Sequence, residues 1–207
     1  GYCSQDAMVA SFGLGATATV DSLIVSWPSG VVQVMSPGPS VDGALLVVES
    51  VFDDLAAGLE GVLRGAAAWG DYDNDGDLDL LLVGANATFV PLSRIYNNDG
   101  GVFTDIAAGL AGVWYASAAW GDYDNDGDLD ILLTGYSASN VPISHIYNHD
   151  GGVFTDIAAG LEGVWRGSAA WGDYDNDGDL DILLTGYNAA FAPLARIYNN
   201  DGGVFTD

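Results

Sequence analysis

Five aspartates at alternate positions of a nine-residue string, Asp71-Tyr72-Asp73-Asn74-Asp75-Gly76-Asp77-Leu78-Asp79, suit one kind of chemistry: holding a hard cation. The string recurs at Asp122–Asp130 and at Asp173–Asp181, with a spacing of 51 residues each time. Calcium takes about six to eight oxygen ligands, which clustered carboxylates and a main-chain carbonyl supply. Alternation turns the carboxylates toward the inside of a curled loop, and Gly76 at position six permits the sharp turn that closes it. Asp71, Asp73, Asp75 and Asp79 then offer side-chain oxygens. Asp77 offers its carbonyl, leaving its side chain to the surroundings of the site or to solvent. The same roles fall on Asp122, Asp124, Asp126, Asp128 and Asp130, and on Asp173, Asp175, Asp177, Asp179 and Asp181. This pattern predicts about one Ca2+ per repeat, three in the chain.

Other readings of the string are weaker. An EF-hand needs a bidentate Glu at position twelve and a helix on either side. Position twelve is Leu82, Leu133 and Leu184, each inside an apolar strand-like run, so that reading fails, and a dockerin-like helical pair fails with it. A solvated acidic turn is the bland alternative, but carboxylates this close repel unless a cation or protons intervene. Magnesium demands stricter octahedral geometry and holds its waters. Paired carboxylates can divide acid and base roles. Here, however, the string is tripled with no His, Ser or Cys repeated beside it, so no catalytic residue and no enzyme is expected.

Composition narrows the partners. There are 29 acidic residues against four arginines, a formal charge of −25, and three divalent ions would leave the chain strongly negative. No basic stripe exists to hold phosphate, which argues against nucleic acid and equally against an anionic membrane surface. With 49% hydrophobic residues the chain can build a core and is not a disordered acidic tail. No apolar run reaches about 18 residues, so no membrane insertion is expected. Cys3 is the single cysteine, which excludes an internal disulfide and reads as an inert small hydrophobe. Calcium loops point outside the cell, where calcium is about millimolar. The chain starts without Met, carries no signal peptide and stops where a further repeat would continue; it reads as a fragment of a longer exported protein.

The elements that must position the aspartates follow from the period. Phe52–Val102, Phe103–Val153 and Phe154–Val204 align as 51-residue units, the last two identical at 40 of 51 positions. One supersecondary unit is therefore used three times, each burying a face against the next. The third unit shows four strand signals: Ser168–Asp173, Leu180–Gly186, Arg196–Asn199 and Val204–Asp207. Turn chemistry separates them, at Asn176-Asp177-Gly178 and Asn200-Asp201-Gly202-Gly203. Four antiparallel strands per repeat mark a propeller blade. The chain is thus expected to be all-β, with blades at about 66–105, 117–156 and 168–207 inside a repeat region 51–207. Residues 1–50 do not share the repeat and read as part of a small β module. Its strand signals lie at Val9–Phe12, Leu23–Trp27 and Leu45–Val48, with a turn at Pro28–Gly30 and a loop over Ser36–Gly43.

Other residues carry weaker signals. His145 and His149 occur in one repeat only and are expected at the surface. Trp69, Trp120 and Trp171 read as core between blades, whereas Trp114 and Trp165 are divided between core and exposed contact. Asn86-Ala87-Thr88 fits a glycosylation acceptor, relevant only in a eukaryote. The repeats differ mainly at 86–94, 137–145 and 188–196, and again at 64–65, 115–116 and 166–167. A constant scaffold with one variable loop per unit is the layout of a binding surface, though drift in exposed loops gives the same pattern.

The run Trp-Gly-Asp-Tyr-Asp-Asn-Asp-Gly-Asp-Leu-Asp-Ile-Leu-Leu, followed by Ile-Tyr-Asn-Asn-Asp-Gly-Gly-Val-Phe-Thr-Asp, resembles the FG-GAP or VCBS repeat of integrin-α-like β-propellers. That resemblance implies Ca2+ between the first two strands of each blade, held by positions one, three, five and nine and the carbonyl of position seven. Residues 1–50 resemble an ASPIC/UnbV module through Gly1-Tyr2, Ser4-Gln5, Phe12-Gly13-Leu14-Gly15, Val20-Asp21, Trp27-Pro28-Ser29-Gly30 and Gln33. Propellers of this family usually close with about seven blades. Three cannot close a ring, so further blades, assembly of several chains or an open array is expected.

The sequence therefore reads as a secreted or cell-surface calcium-binding repeat protein serving adhesion or recognition of a protein or glycan. Two alternatives stand beside it: a structural repeat protein of a cell coat or fibre, and the non-catalytic propeller of a polysaccharide-active enzyme.

Overall fold

Each Asp string runs straight into an apolar segment such as Leu80-Leu81-Leu82-Val83, too continuous for a strand with one wet face. In the computed structural model, which describes residues 22–26, 32–35 and 55–207, these segments are the buried second strands of three four-stranded antiparallel blades. The first blade comprises β3 (Leu63–Gly70), β4 (Asp79–Ala85), β5 (Pro91–Asp99) and β6 (Val102–Asp105). The second comprises β7 (Val113–Gly121), β8 (Asp130–Ser137), β9 (Pro142–Asp150) and β10 (Val153–Asp156). The third comprises β11 (Ala169–Gly172), β12 (Asp181–Tyr187), β13 (Pro193–Asp201) and β14 (Val204–Thr206). Pairing is sequential, with register Trp69↔Leu80, Leu81↔Ile95 and Tyr96↔Asp105 in the first blade. Gly100 and Gly101, at φ 59° and 93°, form the two-residue turn between β5 and β6; this positive-φ pair matches the strand twist.

The repeat region is all-β, without a helix among the described residues, and its sheets do not close on themselves. Single bridges link neighbouring blades, Leu92↔Val113 and Ile143↔Val164. The expected strand edges shift in two places. The first strands of the first two blades start at Leu63 and Val113, before the expected 66 and 117. Each contains a bulge whose residue, Arg64 or Tyr115, sits at left-handed φ. The bulge breaks the alternation that a sequence pattern would reveal. The third strands begin at Pro91, Pro142 and Pro193, where the missing N–H falls at a strand end.

Aromatic stacking joins the blades. Tyr72, the second residue of the first string, stacks on Trp120 of the next blade, with centroids 6.2 Å apart and planes at 8°. Tyr123 and Trp171 repeat this geometry at the same 6.2 Å and 8°. Trp120 and Trp171 therefore pack between blades as expected. Trp69, with no described blade before it, is 58% exposed. At the other end Tyr174, Leu183 and Ile197 are exposed, although their counterparts Tyr72, Leu81 and Ile95 are buried.

The chain divides into two compact units, Gly1–Leu55 and Ala56–Asp207. The first contains an antiparallel hairpin of β1 (Leu23–Ser26) and β2 (Val32–Met35), in register Leu23↔Met35 and Ser26↔Val32. The strands expected at Val9–Phe12 and Leu45–Val48, the Pro28–Gly30 turn, the Ser36–Gly43 loop and Cys3 lie outside the described residues.

Candidate metal centres

The loop between the first two strands of each blade is shaped by its own sequence. Asn74 and Gly76 adopt φ of 58° and 97°, and Asn125/Gly127 and Asn176/Gly178 do the same. Asn and Gly are the residues that enter this region most readily. Two left-handed residues in a short span curl the chain back on itself. Asp71 then accepts hydrogen bonds from the main-chain N–H of Asp75 (3.0 Å) and Gly76 (3.1 Å), and Asp75 accepts from Asp77 N–H (2.8 Å). The second loop repeats these contacts at Asp122 and Asp126.

The last aspartate of each string is locked in place by the sheet. Asp79, Asp130 and Asp181 are essentially fully buried. One oxygen of Asp79 accepts from Tyr72 N–H at 3.0 Å and the other from Asn98 N–H at 2.8 Å. Asp130 does the same with Tyr123 (3.1 Å) and His149 (2.8 Å), and Asp181 with Tyr174 (3.0 Å) and Asn200 (2.8 Å). Each of these carboxylates thus clamps the start of its loop to the third strand. The third position is steered by an amide on that strand: Asn97 donates to Asp73 (2.6 Å), Asn148 to Asp124 (2.9 Å) and Asn199 to Asp175 (3.0 Å). These asparagines were not singled out in the sequence, although the Ile-Tyr-Asn run at a constant 24-residue offset was visible there.

The outcome is three carboxylate triads. One oxygen each from Asp71, Asp73 and Asp79 lie within 4.8 Å of one another, as do those of Asp122, Asp124 and Asp130 and those of Asp173, Asp175 and Asp181. The fifth and seventh positions stand differently. Asp75, Asp126 and Asp177 each spend one oxygen on the N–H two residues on. Asp77 and Asp179 accept from Gly100 (2.9 Å) and Gly202 (3.0 Å), tying the loop to the β5–β6 and β13–β14 turns. Asn125 donates to the Gly178 carbonyl (3.3 Å) and to Asp179 (3.0 Å), so the second and third loops are also bonded to each other.

Among the described residues these charges lack a protein counter-ion. Among the described residues, ion pairs join Arg94 to Asp105 and Glu60, His145 to Asp156 and Arg196 to Asp207; none reaches a string. At 4.8 Å two unit negative charges repel by about 3.5 kcal/mol in an effective dielectric of about 20. Burial pushes Asp130 up to about 7, with Asp124 and Asp126 adding to the rise while the N–H bonds from His149 and Tyr123 oppose it. Asp79 and Asp124 are raised for the same reason, burial first. A hard, oxygen-loving divalent cation fits this all-carboxylate donor set and would remove the repulsion.

The two histidines part company. His145 is half-buried and pairs with Asp156 (3.1 Å), where the other blades place Arg94 and Arg196. His149 is buried rather than exposed: its ring stacks on Phe154 at 4.4 Å and 10°. The corresponding Asn98 has no described blade before it, whereas His149 faces the preceding blade through Tyr72 (5.5 Å).

A family model described as FG-GAP-like repeat matches residues 71–133, and one described as ASPIC and UnbV matches residues 1–51. Comparison with curated proteins finds no match. FG-GAP repeats are typical of extracellular proteins, and both families are generally non-catalytic. No helix of the described residues is long and apolar enough to cross a membrane.

Proposed function

From a chain that joins an ASPIC and UnbV segment to FG-GAP-like repeats, we propose a secreted or cell-surface calcium-binding protein serving adhesion or recognition of a protein or glycan. The observation that carries the reading is the triad of converging, counter-ion-free carboxylates, repeated in three blades. Each ion would be held by positions one, three and nine, with position five and the carbonyl of position seven completing the set. Bound calcium neutralises the loop and stiffens the junction between the first three strands. Recognition then falls to the variable loops at the opposite blade ends.

Calorimetric titration of Ca2+ into chelator-stripped protein, with thermal unfolding followed in parallel, tests this. About three sites per chain and a marked rise in melting temperature are expected; a site at about 100 times its Kd contributes about 2.7 kcal/mol. No uptake, or uptake without stabilisation, refutes it.

The near-identity of the second and third repeats, at 40 of 51 positions, favours a second reading, a structural repeat protein of a cell coat or fibre whose blades stack on one another. A Cβ on Gly70 or Gly121 would lie 2.7 or 2.5 Å from the next blade's tryptophan, whereas Gly172 faces open space beside exposed Tyr174. Trp69 and Leu78, the counterparts of the inserting Trp120 and Leu129, are likewise exposed among the described residues. Sedimentation velocity across concentration separates the readings: assembly that Trp69→Ala abolishes supports the structural role, and a monomer throughout removes it.

A further inference from the structure

The repeat positions that vary most in chemistry meet at the blade ends remote from the aspartate loops. Arg64, Tyr115 and Arg166 occupy the same place in successive repeats, each at left-handed φ (54°, 49° and 52°). Non-glycine residues in this conformation are uncommon, and their recurrence marks a held, strained position. Both guanidiniums stack on one ring: Arg64 Cζ lies 4.7 Å and Arg166 Cζ 4.4 Å from the Tyr115 centroid. Trp114 lies 5.2 Å from Arg64, and Trp165 lies 4.7 Å from Arg166.

Charge sets this ridge apart. Arg94 and Arg196 are paired with carboxylates, but among the described residues neither Arg64 nor Arg166 has one within ion-pair distance. In a chain with 29 acidic residues, two exposed cations held on aromatic faces instead of on acids remain available to an outside anion. The aspartate loops do not cancel them. Arg64 stands six residues along β3 from Gly70, a distance of about 20 Å at about 3.3 Å per residue. That exceeds the screening length of about 8 Å in physiological salt.

The ridge continues into a recess of about 100 Å³ lined by Trp165, Tyr136, Phe191, Asn140 and Asn188. Phe191 meets Trp165 edge-on at 5.6 Å and is 68% exposed. Asn188 uses its carbonyl oxygen on the N–H of Ala190 and Ala192, which turns that oxygen inward to the loop. The exposed Phe191 ring, half-buried Trp165 and Tyr136, amides at their edge and a shallow recess suit a flat ring with an apolar C–H face and a polar rim. A protein partner would need roughly 800 Å² and deep anchor pockets.

We propose that this aromatic–arginine ridge binds an acidic polysaccharide. Sugar rings lie against exposed Phe191 at the rim of the recess beside half-buried Trp165, and carboxylate or sulfate groups meet Arg64 and Arg166. The proposal rests on the recognition half of the function proposed above and is independent of its calcium half.

The test is titration of a chondroitin hexasaccharide into calcium-loaded protein, with neutral chitohexaose and hexa-aspartate as comparators. Chondroitin is expected to bind at least tenfold tighter than either comparator, and more weakly as salt rises. Arg64→Gln and Arg166→Gln should each weaken it about fivefold and together abolish it, with calcium stoichiometry and melting temperature unchanged. Equal binding of hexa-aspartate would make the ridge an acidic-peptide surface and overturn the proposal. Equal binding of chitohexaose, or no binding of any probe, overturns it as well. If calcium uptake fails while chondroitin binding persists, only the calcium half of the function falls.

Discussion

Asp130→Asn tests whether the buried aspartate of each string is both a clamp and a cation ligand. The substitution keeps size and shape but removes the charge and one acceptor. The carboxylate is fully buried and receives two main-chain N–H groups, from Tyr123 at 3.1 Å and His149 at 2.8 Å. An amide can accept only one and turns its NH2 toward the other. One charge-assisted hydrogen bond is lost and one buried N–H is left without an acceptor, together about 3–5 kcal/mol. Without metal, an opposing gain appears, because the charge removed is one that burial and Asp124 and Asp126 already disfavour. The loss should therefore be near the full value in calcium and less than half of it in chelator. For the 152-residue unit Ala56–Asp207, each 1 kcal/mol shifts melting by about 2–4 °C, so calcium-loaded protein should lose about 6–20 °C. Urea unfolding of both proteins in calcium and in EGTA supplies the four stabilities. Equal losses in the two conditions would refute the reasoning, leaving Asp130 a clamp without a metal; no loss in either would refute the clamp as well.

The other expectations are shorter. Asp130 has a folded-state pKa of about 7 against an ordinary 3.8, so metal-free folded protein binds a proton that unfolded chain does not over that window. Its stabilisation is present in acid and lost as pH rises through 7: in EGTA the melting temperature should climb from pH 8 to pH 5. In calcium the trend should reverse, because protons compete with the ion, and parallel trends would contradict the site. Trp120→Ala should cost about 3–5 kcal/mol, since it removes the stack on Tyr72 and the indole N–H bond to the Ala68 carbonyl (3.3 Å). Trp69→Ala, at the exposed end, should cost under about 1 kcal/mol by denaturant titration; equal costs would deny that blade contacts bury the tryptophan. Gly121→Ala should destabilise because its Cβ would meet the Trp171 ring at 2.5 Å, whereas Gly172→Ala, facing open space, should be near neutral by the same assay.

Much of this protein is written locally, and that part could be read without coordinates. The curl of the Asp loop needs only Asn74 and Gly76 in left-handed conformations, and its first three carboxylates lie within a few residues of one another. The Gly100-Gly101 turn and the apolar run after Asp79 are equally short-range. Repetition then carried the argument from one blade to three and made the FG-GAP resemblance recognisable. Strand edges at the Arg64 and Tyr115 bulges were not legible, because a bulge disrupts the two-residue period by which a strand is recognised.

Tertiary structure decided what sequence-distant neighbours decide. Trp69 and Trp120 share the same Trp-Gly-Asp-Tyr-Asp surroundings, yet one is exposed and the other packed, because among the described residues only the second has a blade before it. His149 looked like a surface substitution and is buried, since Phe154 reaches it from the next strand and Tyr72 from the aspartate loop of the preceding blade. The clamp on Asp130 comes from a main-chain N–H 19 residues away, which no side-chain pattern can announce. The meeting of Arg64, Tyr115 and Arg166 on one ring follows from stacking blades at a period of 51 residues. Periodicity gives each residue its place within a blade; only the packing of blade on blade determines its neighbours, its exposure and the charge it feels.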